Sequence, residues 1–579
     1  MQAKIKKKMI QKRKWLFLGI SLFATLPFST FAQTDSTSSG DSAAVTKEAP
    51  NDWFELDRAT TGYYGISLDK AYDFLKGRTS KTIVVAVIDN GVDTLQEDLK
   101  SILWHNPGEI PHNGIDDDHN GYIDDVYGWN FIGGKDGTNL HQDSEEAARI
   151  YWNLKSKYDS TENDDTTKMD ETQKTEYATY LRAKDVVTNG INPAEMMQMK
   201  RILPVLEKGD SIIGKDLGKT EFTCKDVQKY TSDDFNAKMA AAIYLNIGKM
   251  NNNYDITNTD ILSDLREQIR KGDAATTPPP AYRNEIVKDN PNDINDRYYG
   301  NNDVTAGTPS HGTHCSGIIG AVRNNGIGMN GVADNVRIMM VRAVPDGDEH
   351  DKDIANAIRY AVDNGAEVIS MSFGKGFSPQ KAWVDDAVKY AQSKGVLLVH
   401  AAGNDSKDID SVENFPNPYY LDKSGVADDF ITVGASGDPT NGGFTASFSN
   451  YGKKSVDLFS PGVNIYSTLP DNKFGDYSGT SMATPVVAGV AALVLEYFPD
   501  LSAEQLKYVI DNSTQPITEK VKKPGTDDLV SLSDLCISGG EVNAYNAVKL
   551  AATLKGERTK SDNNTPEEKG KHKRRKKRA

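Results

Sequence analysis

Short apolar runs at residues 83–89, 336–344, 367–373, 396–403 and 430–435 constrain this chain more than any other feature. Such runs carry no polar alternation, so a strand built from them must be covered on both faces. Segments with helical spacing at 351–365 and 379–395 supply that cover. The predicted fold is therefore α/β, a doubly wound and mostly parallel sheet. At 579 residues the chain is longer than one such unit requires, so a second module is expected.

That module is visible as a change of texture. From 140 to 302 the sequence is polar with helical periodicity, at 194–203, 233–250 and 259–271, and has almost no β-branched runs. It reads as an inserted, mainly helical module, either a decoration packed on the core or a gate over a site. The expected organisation is a signal peptide at 1–32, a disordered leader at 33–58, the core in two parts at 59–139 and 303–554, and a disordered basic tail at 555–579.

The signal peptide rests on a basic start, an apolar run over 15–28 and a small-residue exit at Ala32, which predicts a secreted or periplasmic protein. An uncleaved anchor is the competing reading, but the run is short for a bilayer and Pro27 interrupts it, so no transmembrane span is expected after cleavage. Three cysteines, Cys224, Cys315 and Cys536, permit at most one disulfide. A net charge of −15 argues against nucleic acid as partner, whereas polypeptides fit. The tail from Lys571 to Arg578 is either merely solvated or a contact for an anionic surface.

Four segments carry chemistry. Hydrolysing an amide needs a nucleophile, a base, a group that orients the base, and donors for the oxyanion. Ser481, in Ser478-Gly479-Thr480-Ser481-Met482-Ala483-Thr484-Pro485, begins an apolar helix whose N-terminal N–H groups favour negative charge; alone it reads equally as a cap. His311 sits in Ser310-His311-Gly312-Thr313-His314, at another helix start. Two histidines three apart suggest a metal site, but neither a third ligand nor an H-E-x-x-H arrangement supports one, so His311 is the expected base and His314 a buried structural residue. Asp89 ends the first apolar strand, where open α/β sheets place their sites, and is preferred over nearby Asp93 as the orienting carboxylate. Asn404, in His400-Ala401-Ala402-Gly403-Asn404, follows another buried strand and offers a side-chain amide to the oxyanion.

These four segments resemble the subtilisin-like serine proteases, in the order Asp89, His311, Ser481 that the family shows. The resemblance covers residues 60–140 and 303–551 and implies a serine endopeptidase with no organic cofactor. It also implies that Ser372, Phe373 and Gly374 lie on the strand that pairs with substrate and lines the pocket for the side chain before the cut. Two departures stand out: the long connection between Asp89 and His311, and the lack of a recognisable prosegment after Ala32. A non-catalytic scaffold that keeps the fold is the alternative, and the presence of the whole triad weighs against it.

A further site is suggested by Asp116, Asp118 and Asn120, which alternate ahead of Gly121 with the spacing of a calcium loop. Tyr127 occupies the place of the closing glutamate, so Asp124 or Asp125 would have to complete the set; the alternative is a solvated acidic turn.

Overall fold

The computed structural model describes residues 49–160, 166–189, 192–219, 222–250, 254, 256–307, 309–438 and 443–558. The expected signal peptide and the greater part of the leader and tail lie outside the described residues. Two compact units are present, one formed by Thr46–Asp143 with Ala281–Ala579, the other containing Ser144–Pro280.

The first unit is built on a nine-stranded sheet. Its main strands are β1 (Ile83–Asp89), β2 (Gly128–Asn130), β3 (Val336–Arg342), β4 (Val368–Met371), β5 (Leu397–Ala401), β6 (Phe430–Ser436) and β7 (Leu458–Pro461). The order is Gln515–Pro516, Gly540–Glu541, β7, β6, β5, β4, β1, β3, β2. All these pairings are parallel except that between Gln515–Pro516 and Gly540–Glu541. β1 lies between β3 and β4, so the chain leaves it in one direction and later returns on its other side. Open α/β sheets bind ligands at the carboxyl ends of strands at such a reversal, and Asp89 is the last residue of β1.

Two apolar layers cover the sheet. On one face the helix Thr480–Tyr497 is buried from Thr480 to Glu496 apart from Ser481, which is what an all-round apolar helix demands. It is the one described helix long and apolar enough to cross a membrane, yet 89% of it is buried inside the fold. On the other face Asp351–Asp363 and Lys381–Ser393 pack through Ile354, Ile358, Val384 and Val388. Cys224, Cys315 and Cys536 are all buried thiols.

Two expected boundaries shift. Trp53 and Phe54 are each 1% exposed in the first apolar layer, so the leader assigned to 33–58 gives way to folded chain before its end. The helical unit ends at Pro280 and not at 302. Residues beyond it are tied into the sheet unit by buried charge: Arg283 donates to both carboxylate oxygens of Asp353 (2.5 and 2.8 Å) and to Asp289 (2.8 Å), while Lys352 donates to Asp289 (2.6 Å). Polar composition hides this in the sequence, because charged residues are ordinarily exposed unless paired.

The helical unit contains Glu146–Tyr158, Glu171–Asn189, Pro193–Leu217, Phe235–Met250 and Asn258–Asp273. Its core gathers Leu206, Ile213, Phe222, Tyr244, Ile247 and Leu262. The ends are set by local chemistry: Asn192 caps a helix with Pro at its first turn, Gly218 closes it in the left-handed conformation, and Thr257 with Asp260 forms a capping box.

Candidate active site

Asp89 is 2% exposed, and its carboxylate accepts the Asn90 N–H at 2.7 Å. The His311 ring stands against it, Nδ1 lying 2.8 Å from Oδ1 and 2.9 Å from Oδ2. A carboxylate there fixes the tautomer, with the proton on Nδ1 and Nε2 left as the basic atom. The helix Ser310–Gly320 comes this close because residue 312 has no side chain: a Cβ there would lie 2.1 Å from the Gly91 carbonyl and 3.2 Å from Asp89 Oδ1. The Gly312 N–H donates to Asn90 Oδ1 at 3.0 Å and locks the approach. Asp93 is occupied elsewhere, accepting the N–H groups of Leu95 and Asp471.

Burial works against a charge on His311, but the Asp89 carboxylate and its hydrogen bond prevail and hold the pKa well above 6.5. His314 is fully buried, as expected; its Nε2 donates to the Gly475 carbonyl at 3.1 Å, and it stacks on Tyr477. Burial brings its pKa down to about 3, so it stays neutral.

Ser481 is the second residue of its helix. Pro485, four residues on, has no N–H to give, which frees the Ser481 carbonyl from the helical ladder. Ser372 Oγ takes that carbonyl at 2.8 Å and Cys315 Sγ at 3.5 Å. Cys315 Sγ also lies 4.0 Å from His311 Nδ1, so it joins the serine segment to the imidazole. Burial pushes its own pKa up, which keeps the thiol protonated. The Ser481 hydroxyl donates to the Ser372 carbonyl at 3.1 Å.

Asn404 Oδ1 accepts from the Thr480 N–H and hydroxyl, both at 2.9 Å, which leaves Nδ2 as the outward atom. A Cβ on Gly479 would stand 3.5 Å from both Asn404 Nδ2 and the Ser481 N–H. Both nitrogens therefore lie near one point, and two such donors are what an oxyanion hole needs. Sequence reasoning did not find Cys315 or Thr480 as supports; only their place beside motif residues marked them.

The predicted calcium set does not form as a unit. Asp116 turns its carboxylate to the N–H groups of Asn120 and Gly121, and Asp124 to those of Asn113 and Gly114. Asp118 instead gathers with Glu109 and Asp125, which can each bring an oxygen within 4.8 Å of the others'. Asn120 joins this group by donating to Asp118 (3.2 Å) and Asp125 (3.1 Å). Glu109 Oε2 is buried with no partner, and burial raises Asp125 to about 7. That donor set of hard oxygens suits a cation such as calcium.

With this geometry in hand, the comparisons with known proteins agree on one class. Residues 80–534 match the Subtilase family. Thermitase of Thermoactinomyces vulgaris is 38% identical over 240 residues, 41% of this chain and 75% of that protein. The thermophilic serine proteinase of Bacillus sp. (strain AK1) is also 38% identical over 240 residues, and the match spans about half of that protein (52%). Subtilisin DY of Bacillus licheniformis is 38% identical over 199 residues, 34% of this chain and 67% of that one. The chain belongs to the subtilase family.

Proposed function

We propose that this chain is a serine endopeptidase that hydrolyses polypeptides outside the cytoplasm through an acyl-enzyme. Ser481 attacks the carbonyl, His311 Nε2 takes its proton and later delivers it to the leaving amine, and Asp89 holds the imidazole and stabilises its charged form. The oxyanion is held by Asn404 Nδ2 and the Ser481 N–H. Ser372, Phe373 and Gly374 bind substrate as an added strand. The resting bond from Ser481 to the Ser372 carbonyl breaks when the hydroxyl turns to His311.

The observation that carries this reading is the buried Asp89 carboxylate gripping His311 Nδ1 at 2.8 and 2.9 Å. The unit at Ser144–Pro280 falls between Asp89 and His311 and is read as an insertion in the family pattern. Glu109, Asp118 and Asp125 are read as a structural calcium group. A biotinylated diphenyl phosphonate tests the peptidase: it should label the chain at Ser481, and Ser481→Ala should abolish both labelling and peptide hydrolysis. Labelling that persists in the alanine variant would place the nucleophile elsewhere.

A further inference from the structure

Arg342, the last residue of β3, is 3% exposed and stands opposite Asp89 in the register of β1 and β3. A buried guanidinium ordinarily sits against a carboxylate, because an isolated charge is costly to take out of water. This one instead donates to three neutral oxygens: Nε to the Asn90 carbonyl at 3.0 Å, Nη1 to Asn130 Oδ1 at 3.0 Å and Nη2 to the Leu140 carbonyl at 2.6 Å. Burial pulls its pKa down to about 10, with Asp303 opposing, so it remains charged at neutral pH. The three oxygens belong to separate pieces of chain: the turn after β1, the end of β2, and the loop at Leu140, which is itself pinned to the Ile132 carbonyl at 2.9 Å. A rigid planar fork can hold such pieces at fixed angles, which a flexible ammonium cannot.

The turn after β1 carries the chemistry. Asn90 joins the two halves of the Asp89–His311 pair: its N–H donates to Asp89 Oδ1 at 2.7 Å, and its Oδ1 accepts the N–H of Gly312, the neighbour of His311, at 3.0 Å. The carbonyl of this same residue is the one that Arg342 Nε holds. The aliphatic stem of Arg342 supports the turn as well, for Gly91 has φ +124° and a Cβ there would stand 3.5 Å from Arg342 Cδ. Main-chain bonds fix the arginine in turn: the Ala343 N–H donates to the Asp89 carbonyl at 3.0 Å, and the Arg342 carbonyl accepts the Phe131 N–H at 2.8 Å. Proton transfer is sensitive to such seating, since a displacement of about 1 Å can cost about a hundredfold in rate.

We propose that Arg342 is a positioning residue for catalysis: by fixing the Asn90 carbonyl against β2 and the Leu140 loop, it keeps Asp89 and the start of the His311 helix in the alignment that proton transfer requires. This role rests on the peptidase reading above and deepens it. The side chain of Arg342 bonds to neither Asn404 nor the segment 372–374, so substrate binding should not depend on it.

The test compares the full chain with Arg342→Met and Arg342→Lys on one peptide substrate, counting active sites by phosphonate titration of Ser481. In Arg342→Met, kcat per titrated site should fall at least about tenfold while KM stays within about twofold. The acid limb of kcat/KM should move too, its midpoint falling towards 6.5, because a displaced Asp89 favours the imidazolium less. Loss of a neighbouring positive charge alone would send the midpoint up, so the direction separates positioning from simple electrostatics. Asp89, Cys315 and His314 are the titratable groups that act on the ring, and both variants retain them. Arg342→Lys keeps the charge but offers one nitrogen for three oxygens, so both quantities should change in the same direction by smaller factors. It decides the matter if the methionine variant does not fold. An arginine with a merely structural role would lower the Tm and leave the titrated sites as active as before. A kcat per site within about twofold of native in both variants, or a midpoint that stays or rises, overturns the role of Arg342 and leaves the peptidase reading intact. A native chain that neither hydrolyses the peptide nor takes the phosphonate overturns both.

Discussion

A single proton on His311 links stability and activity in opposite directions. Its folded pKa is raised above the ordinary 6.5, because Asp89 favours the imidazolium more than burial disfavours it. The charged pair therefore stabilises the fold below pH 6.5 and that contribution is lost as pH rises through the raised value. Catalysis runs the other way, since the base acts only when neutral. The acid limb of kcat/KM should have its midpoint above 6.5, and Asp89→Asn should lower activity steeply and remove the upward displacement. A midpoint at or below 6.5 in the native chain would contradict the grip of Asp89 on the ring. His311 is one-third exposed at its side chain, so solvent screens part of the interaction.

Among the elements, the turn of chain at Arg283–Tyr299 is attached to the helix Asp351–Asp363 by charge. Arg283 and Asp353 are 5% and 0% exposed, and the Tyr299 hydroxyl donates to Asp353 at 2.5 Å. Removing one partner leaves the other carboxylate buried and uncompensated. Arg283→Met should cost about 3–5 kcal/mol in urea unfolding, and adding Asp353→Leu should recover part of it. Equal losses in the single and double variants would show that packing, not the ion pair, holds this turn. The strands β1, β3, β4, β5 and β6 were legible from their apolar runs, and their register places Asp89 as expected. β2 and β7 were not: three and four residues long, they owe their burial to neighbours and not to a pattern of their own. For the same reason the far edge of the helical unit was misplaced, since Arg283, Asp289, Lys352 and Asp353 look solvent-facing in sequence and are buried only as a network. Asp89, His311, Ser481 and Asn404 stood out because each sits in a compact local motif.

Across the whole molecule, the acidic group at Glu109, Asp118 and Asp125 bears on stability. Anything that binds the native state alone raises its stability by mass action, by about 2.7 kcal/mol at a hundredfold excess over Kd. Chelation with EGTA should lower the Tm by several degrees, calcium should restore it, and Asp118→Asn with Asp125→Asn should abolish the response. An unchanged Tm on chelation would remove calcium from the account. The placement of β1 has a separate consequence for how the molecule comes into being. Asp89 and His311 are 222 positions apart, and β1 gains its sheet neighbours only from segments beyond residue 335. Long-range pairing of that kind is slow, because loop closure precedes any reward. A ribosome must therefore release most of the polypeptide before Asp89, His311 and Ser481 can come together.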